Sequence, residues 1–255
     1  MSPRHYILAE TTWQSVQQRS YAVAILPWGA TEAHNYHLPY GTDVIETNFI
    51  AAESARRAWE AGASVLVLPT IPFGVQTGQL DIPFCINMNP STQAALLSDV
   101  IASLERHQVQ KLVILNGHGG NDFKAMIREL QPKTSMLLCT INWWNCLDTK
   151  PYFDEPGDHA GELETSVMMH AAPQLVLALD AAGDGREHRS TVKAFREGWA
   201  WTPRPWTKIS DDTGVGNPKR ATAEKGKAFS DAVAERIASF LVELAAANPN
   251  ELYER

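Results

Sequence analysis

Four short apolar runs recur along the chain: Ala22 to Leu26, Ser64 to Leu68, Lys111 to Leu115 and Ser135 to Ile141. Between them lie stretches whose apolar residues repeat at helical spacing. A strand that is apolar on both faces has to be covered on both, and crossover helices do this where hairpins do not. The alternation therefore predicts an α/β fold of three layers, α/β/α, around a mainly parallel central sheet. In such a sheet, sites form at the carboxyl ends of the strands.

The connecting segments carry their own signals. Asp43 opens a helix that Gly62 ends, with Ile45, Phe49, Ala52 and Trp59 at helical spacing, and Asp43 with Glu46 also matches a capping box. Asn89 and Pro90 read as the cap and first turn of a second helix, with Ala94, Leu97, Ile101 and Leu104 as its buried stripe. Phe123 to Leu130 follows as a third. Phe229, Val233, Ile237, Phe240 and Leu244 stripe the last. Residues 69–90 form a long Pro/Gly/Asn-rich loop of the kind that is often functional. Residues 183–218 have no sustained period but carry Trp199, Trp201 and Trp206. They read as an ordered excursion that covers the site or joins subunits. With no repeat and no linker, residues 1–255 are expected to form one domain.

Composition excludes several classes. The net charge of −7 lacks the basic stripe of a nucleic-acid surface. No apolar run approaches the ~18 residues of a membrane span, and the N-terminal stretch Met-Ser-Pro-Arg-His-Tyr holds no signal-peptide core. Cys85, Cys139 and Cys146 cannot all pair and contain no CxxC, which suits reduced thiols in the cytoplasm.

Polar residues gather at the ends of the apolar runs. Leu26 to Asp43 places Glu32, His34, His37 and Asp43 close together, and Glu32 and His34, two apart in an extended segment, project to one side. Asn116-Gly-His118-Gly-Gly-Asn121 is a glycine-rich turn without the GxGxxG or Walker spacing of nucleotide sites. His159-Ala-Gly-Glu162-Leu-Glu164 enters a helix, where the two glutamates point to different sides. Each cluster alone has an ordinary reading: a polar loop, a helix cap, a carboxylate favoured by the helix dipole. Together Glu32, His34, Asp43, His118 and Glu162 exceed what one tetrahedral site needs, and suit two metals sharing a carboxylate.

Four co-linear pieces carry a resemblance. They are Leu26-Pro-Trp-Gly-Ala-Thr-Glu-Ala-His with His-Leu-Pro-Tyr-Gly-Thr-Asp43; Asn116 to Asn121; His159-Ala-Gly-Glu-Leu-Glu-Thr-Ser166; and Gly216-Asn-Pro with Ala221-Thr-Ala-Glu-Lys-Gly226. In these the chain resembles the creatininase (creatinine amidohydrolase) family. The resemblance implies a creatininase-like layered fold, two divalent metal ions (zinc, manganese or iron), hydrolysis of non-peptide amide C–N bonds, and a homo-oligomer, often a hexamer. It implies that Glu32, Asp43 and His118 hold one metal, and that His34, the bridging Asp43 and a further carboxylate hold the other. In creatininase that carboxylate lies two residues after the histidine of the NGH motif, where this chain has Gly120. Glu162 is expected to replace it, which points to family members other than true creatininases.

The expected reaction is hydrolysis of a cyclic amide or formamide by metal-activated water. His159 is the candidate for proton transfer to the leaving nitrogen, Asp158 for orienting it or contacting substrate, and Trp143 and Trp144 for the pocket wall. His37, Asn121 and Glu164 are read as supporting residues. Creatinine/creatine interconversion and non-catalytic binding of a small ligand are the alternatives. A serine hydrolase lacks its G-x-S-x-G elbow here, and a helix-type zinc peptidase its HExxH.

Overall fold

A computed structural model describes residues 4–254. The first three positions of the N-terminal stretch and the two ends of the expected 1–255 domain lie outside it. Four parallel strands, β1 (Val23–Trp28), β2 (Val65–Val67), β3 (Lys111–Asn116) and β4 (Leu137–Asn142), form one sheet in the order β2-β1-β3-β4. All of β1, β2 and β3 is buried, as runs apolar on both faces require.

Among the described residues eight α-helices follow the chain: α1 (Trp13–Gln17), α2 (Thr42–Glu60), α3 (Pro90–Arg106), α4 (Phe123–Leu130), α5 (Glu162–Ala171), the short α6 (Lys193–Arg196) and α7 (Trp206–Ile209), and α8 (Ala223–Ala246). Alternate strand residues face opposite ways, and each face has its own core. Val23, Ile25, Val113 and Leu115 meet α2, α5 and α8, while Ala24, Leu26, Leu112 and Ile114 meet α3 and α4. Each fully buried aliphatic side chain contributes about 2 kcal/mol, most of it offset by lost chain entropy.

The chain leaves β1 for β2 through α2 on one face, then crosses back over β1 to β3 through α3 on the other. From β3 it goes on to β4 through α4. The direction of winding thus reverses between β1 and β3, and the carboxyl ends of those two strands open a crevice there.

Three expectations change. Asp43 does not cap α2: Gly41 precedes the helix and Asp43 lies in its first turn, side chain buried. The buried stripe of α2 is Asp43, Thr47, Ile50, Ala51, Ser54, Ala55 and Ala58, because small residues let the helix lie close to the sheet and α8. Ile45, Phe49, Ala52 and Trp59 sit on its shoulders, half-buried. In the 183–218 excursion Trp206 is covered, but Trp199 and Trp201 stand 75% and 82% exposed on the single chain. Among the described residues no helix is long and apolar enough to cross a membrane.

Candidate metal centre

The first turn of α2 wedges between the ends of β1 and β3. Gly29, just after β1, has the Val44 amide 2.7 Å from where a Cβ would stand, and a Cβ on Gly117, just after β3, would run into the Thr47 hydroxyl. Glycine at both places admits the helix end, and Asp43 arrives between the two strand ends. Glu32 and His34 come from the chain after β1, His118 from the turn after β3, and Glu164 from the first turn of α5.

These side chains converge. Asp43 Oδ1 lies 2.9 Å from His34 Nε2, and its Oδ2 lies 2.9 Å from His118 Nδ1. His118 Nδ1 is also 2.9 Å from Glu32 Oε1. Glu32, Asp43 and His118 can hold a metal ion together, as can His34, Asp43 and Glu164, and also Glu32, His34 and His159. Four of the five expected ligands are therefore brought together. Glu162 is not. Its side chain is fully buried on the other side of α5, where it ion-pairs with Lys225 and accepts the Glu155 amide at 2.8 Å. Glu164, read from the sequence as supporting, reaches the centre and also accepts the Ala160 amide. The two glutamates do point apart, with the roles exchanged.

Each histidine is oriented through its far nitrogen. His34 Nδ1 lies 3.1 Å from the Glu32 carbonyl, His118 Nε2 2.9 Å from that of Val75, and His159 Nε2 2.8 Å from that of Ala33. A carbonyl only accepts, so these nitrogens carry the hydrogens. A neutral ring then turns a lone pair toward the carboxylates. Lone pairs at 2.9 Å repel unless positive charge lies between them, as a proton on the ring or as a cation. Backbone carbonyls behind imidazoles are also the usual outer shell of metal-bound histidine. The donor set fits a metal on both counts.

Without a cation, protons fill the role. Burial opposes charge on His34, but Asp43, then Glu164 and Glu32, outweigh it and push its pKa up to about 10. Burial likewise opposes charge on His118, which Glu32 and Asp43 raise well above the ordinary value. Burial alone would raise Asp43, yet His34 and His118 hold it below the usual carboxylate range. Glu46, fully buried one turn along α2, is raised well above its usual value by burial and then by Glu164 and Asp43.

The centre floors a cleft of about 660 Å³. Trp143 and Trp144 both line it, Trp143 also being core against Phe229. Trp206 closes one side with its ring centroid 4.6 Å from that of His159. Asp158 lies in the cleft wall but does not orient His159, whose ring is held by the Ala33 carbonyl. Its carboxylate pairs with Arg204 at 2.6 Å, and Arg204 stacks on Trp206. The 69–90 loop meets the 183–218 excursion where Gly78 abuts the Arg204 carbonyl with no room for a Cβ. His37 bonds Thr165 at 2.9 Å, away from the centre. Asn121 accepts from Val75 and Gln93 and donates to Asn116, which fixes the turn bearing His118.

A family model described as creatinine amidohydrolase matches residues 9–241. The chain belongs to the creatininase family. A creatininase-family relative, the creatinine amidohydrolase of Pseudomonas putida, is 25% identical over 92% of this chain and 96% of its own length. The mycofactocin precursor peptide peptidase of Mycobacterium ulcerans is 28% identical over 85% of this chain and 80% of its own. Among solved structures, a Bacteroides fragilis protein assigned as a creatinine amidohydrolase is 44% identical. It superposes with a TM-score of 0.93 over 98% of this chain and 99% of that one. A zinc–zinc creatininase variant shares the fold, with a TM-score of 0.80 at 22% identity over 95% of this chain and 99% of that one. Creatininase is also known in a manganese form. The parallel sheet with helices on both faces is the creatininase fold, and the chain is a creatininase-family hydrolase.

Proposed function

We propose that the protein is a two-metal hydrolase of amide C–N bonds. The observation that carries this reading is Asp43, whose two oxygens face His34 and His118 separately, so that it would serve as a ligand shared between two cations. Glu32, Asp43 and His118 would hold one ion, and His34, Asp43 and Glu164 the other, with zinc or manganese the ions of the family's solved forms. When bound, such ions supply Lewis acidity, lowering the pKa of a water and polarising an amide carbonyl. His159, with Nε2–H held by Ala33 and Nδ1 turned toward the cleft, carries the proton at Nδ1 to the leaving nitrogen. Trp143, Trp144 and Trp206 exclude bulk water and wall the substrate.

A non-peptide amide, cyclic or a formamide, is the first substrate class. A peptide amide is the second, favoured by the peptide peptidase relatives and by a cleft volume suited to ligands larger than one small ring. The three free thiols accord with a cytoplasmic setting, and the exposed Trp199 and Trp201 accord with burial in a homo-oligomer. Cyclic amides, formamides and short peptides, each assayed with zinc, manganese and iron, test the reading. Turnover of one class that falls about 100-fold or more in His159→Ala, with metal content intact, is the expected result. No turnover with any metal, or an undiminished rate in that variant, contradicts it.

A further inference from the structure

Behind the centre lies a chain of polar side chains that the proposed reaction does not use. Gln79, in the one-turn helix Thr77–Gln79 of the 69–90 loop, is fully buried. Its Nε2 donates to Glu32 Oε2, the oxygen turned away from His118. Its Oε1 accepts from the Cys85 thiol at 3.2 Å, and the Cys85 sulfur accepts the Ala33 amide at 3.3 Å.

The direction of these bonds is fixed by chemistry. The Ala33 amide can only donate, so it meets the lone pairs of the sulfur and leaves the S–H to point at Gln79. A thiol hydrogen pointing at the amide selects its oxygen, and the NH₂ end must then face Glu32. The amide cannot turn over without setting its oxygen against a carboxylate and its NH₂ against a thiol hydrogen. The backbone of residue 33 thus dictates, through two side chains, which oxygen of its neighbour Glu32 is already taken. Oε1 is left as the oxygen facing His118, and it is the same oxygen that lies nearest His34 and His159, at 3.9 Å and 3.8 Å.

We propose that Gln79 is a positioning residue of the metal centre, held in register by Cys85, and that it makes Glu32 a one-oxygen ligand. The inference rests on the metal reading above. A carboxylate free to offer both oxygens would take a second coordination position on its cation and leave fewer for water and substrate. The bond from Gln79 keeps that position open. It also explains a buried glutamine on a loop whose other role is to roof the cleft.

The test uses the purified full chain with Zn²⁺ and Co²⁺, comparing wild type with Gln79→Met, which keeps the length and apolar volume and removes both hydrogen bonds. Wild type is titrated first; if it binds neither ion, the metal reading fails and this proposal with it. Given binding, Gln79→Met is expected to lose about 10- to 100-fold in metal affinity. Its Co²⁺-loaded form should show a weaker visible d–d band, as a second carboxylate oxygen raises the coordination number. A merely structural role lowers the melting temperature but leaves the spectrum of the loaded protein unchanged, and an unchanged spectrum overturns the proposal. Should Gln79→Met not fold, Cys85→Ala and Cys85→Ser carry the test. Alanine frees the amide to turn and should move the spectrum the same way, whereas serine keeps a donor and an acceptor and should restore it. Identical spectra for alanine, serine and wild type overturn the orienting role.

Discussion

Asp43 stands 2.9 Å from His118, carboxylate oxygen to ring nitrogen, although the ring's only hydrogen in its neutral form belongs to the Val75 carbonyl on the far side. The pair is stable only with positive charge between its members, and the other oxygen of Asp43 repeats the arrangement with His34. On the two-metal proposal, Asp43→Ala is therefore expected to abolish binding of both ions while leaving a folded chain, since the residue is not the cap of α2. Elemental analysis beside circular dichroism reads this directly, and full occupancy in the variant excludes the bridging role.

Glu162 and Glu164 separate metal binding from stability. Glu164→Gln should cut the metal content with little change in melting temperature. Glu162→Gln should leave metal binding unchanged and lower the melting temperature, because the buried carboxylate beside Lys225 is lost and only Asp154 remains to pair with it. Metal analysis and thermal melts of the two variants should give opposite patterns. The same pattern in both would contradict the assignment.

Stability of the metal-free protein should depend on pH through His34. Burial opposes its charge, but Asp43, Glu164 and Glu32 push its folded pKa up to about 10, against about 6.5 when unfolded. Its contribution is fully present below about 6.5 and is lost as pH rises through about 10. A chelator-treated sample should lose melting temperature across that window, and added Zn²⁺ should restore it by replacing the proton. A flat profile without metal would count against the cluster as described.

The crossing of α8 over α5 depends on Gly226, where a Cβ would run into the Ser166 carbonyl. Backbone cannot retreat as a side-chain tip can, so Gly226→Ala should cost about 3 kcal/mol in thermal or denaturant unfolding. Since α5 carries Glu164, metal affinity should weaken as well. A neutral substitution would mean that the two helices are free to slide.

Much of this was legible in the sequence because it depends on local pattern. Runs such as Ala22 to Leu26 and Lys111 to Leu115 announce parallel strands by being apolar on both faces, and the polar residues after them mark the carboxyl ends where Glu32, His34 and His118 stand. What a local pattern does not encode is how a helix is rotated on its neighbours. In α2 the stripe shifted from Ile45 and Phe49 to Ile50 and Ala51 because small residues allow a closer approach. In α5 the alternation of Glu162 and Glu164 was readable, but Lys225, 63 positions away, decides which of them turns from the centre. Gln79 left no sign at all, since its partner Glu32 is 47 positions away and a glutamine in a loop has no periodicity to betray it.

Gly78 and Arg204 touch backbone to side-chain position, and this joins the two stretches of chain that arch over the cleft. Lengthening or reshaping either arch is felt by the other at this seam, while the strand ends beneath stay fixed by their pairing in the sheet. Relatives that accept different amides should accordingly differ in both arches at once, and exchanging one alone should leave a protein that has lost its fit to any substrate.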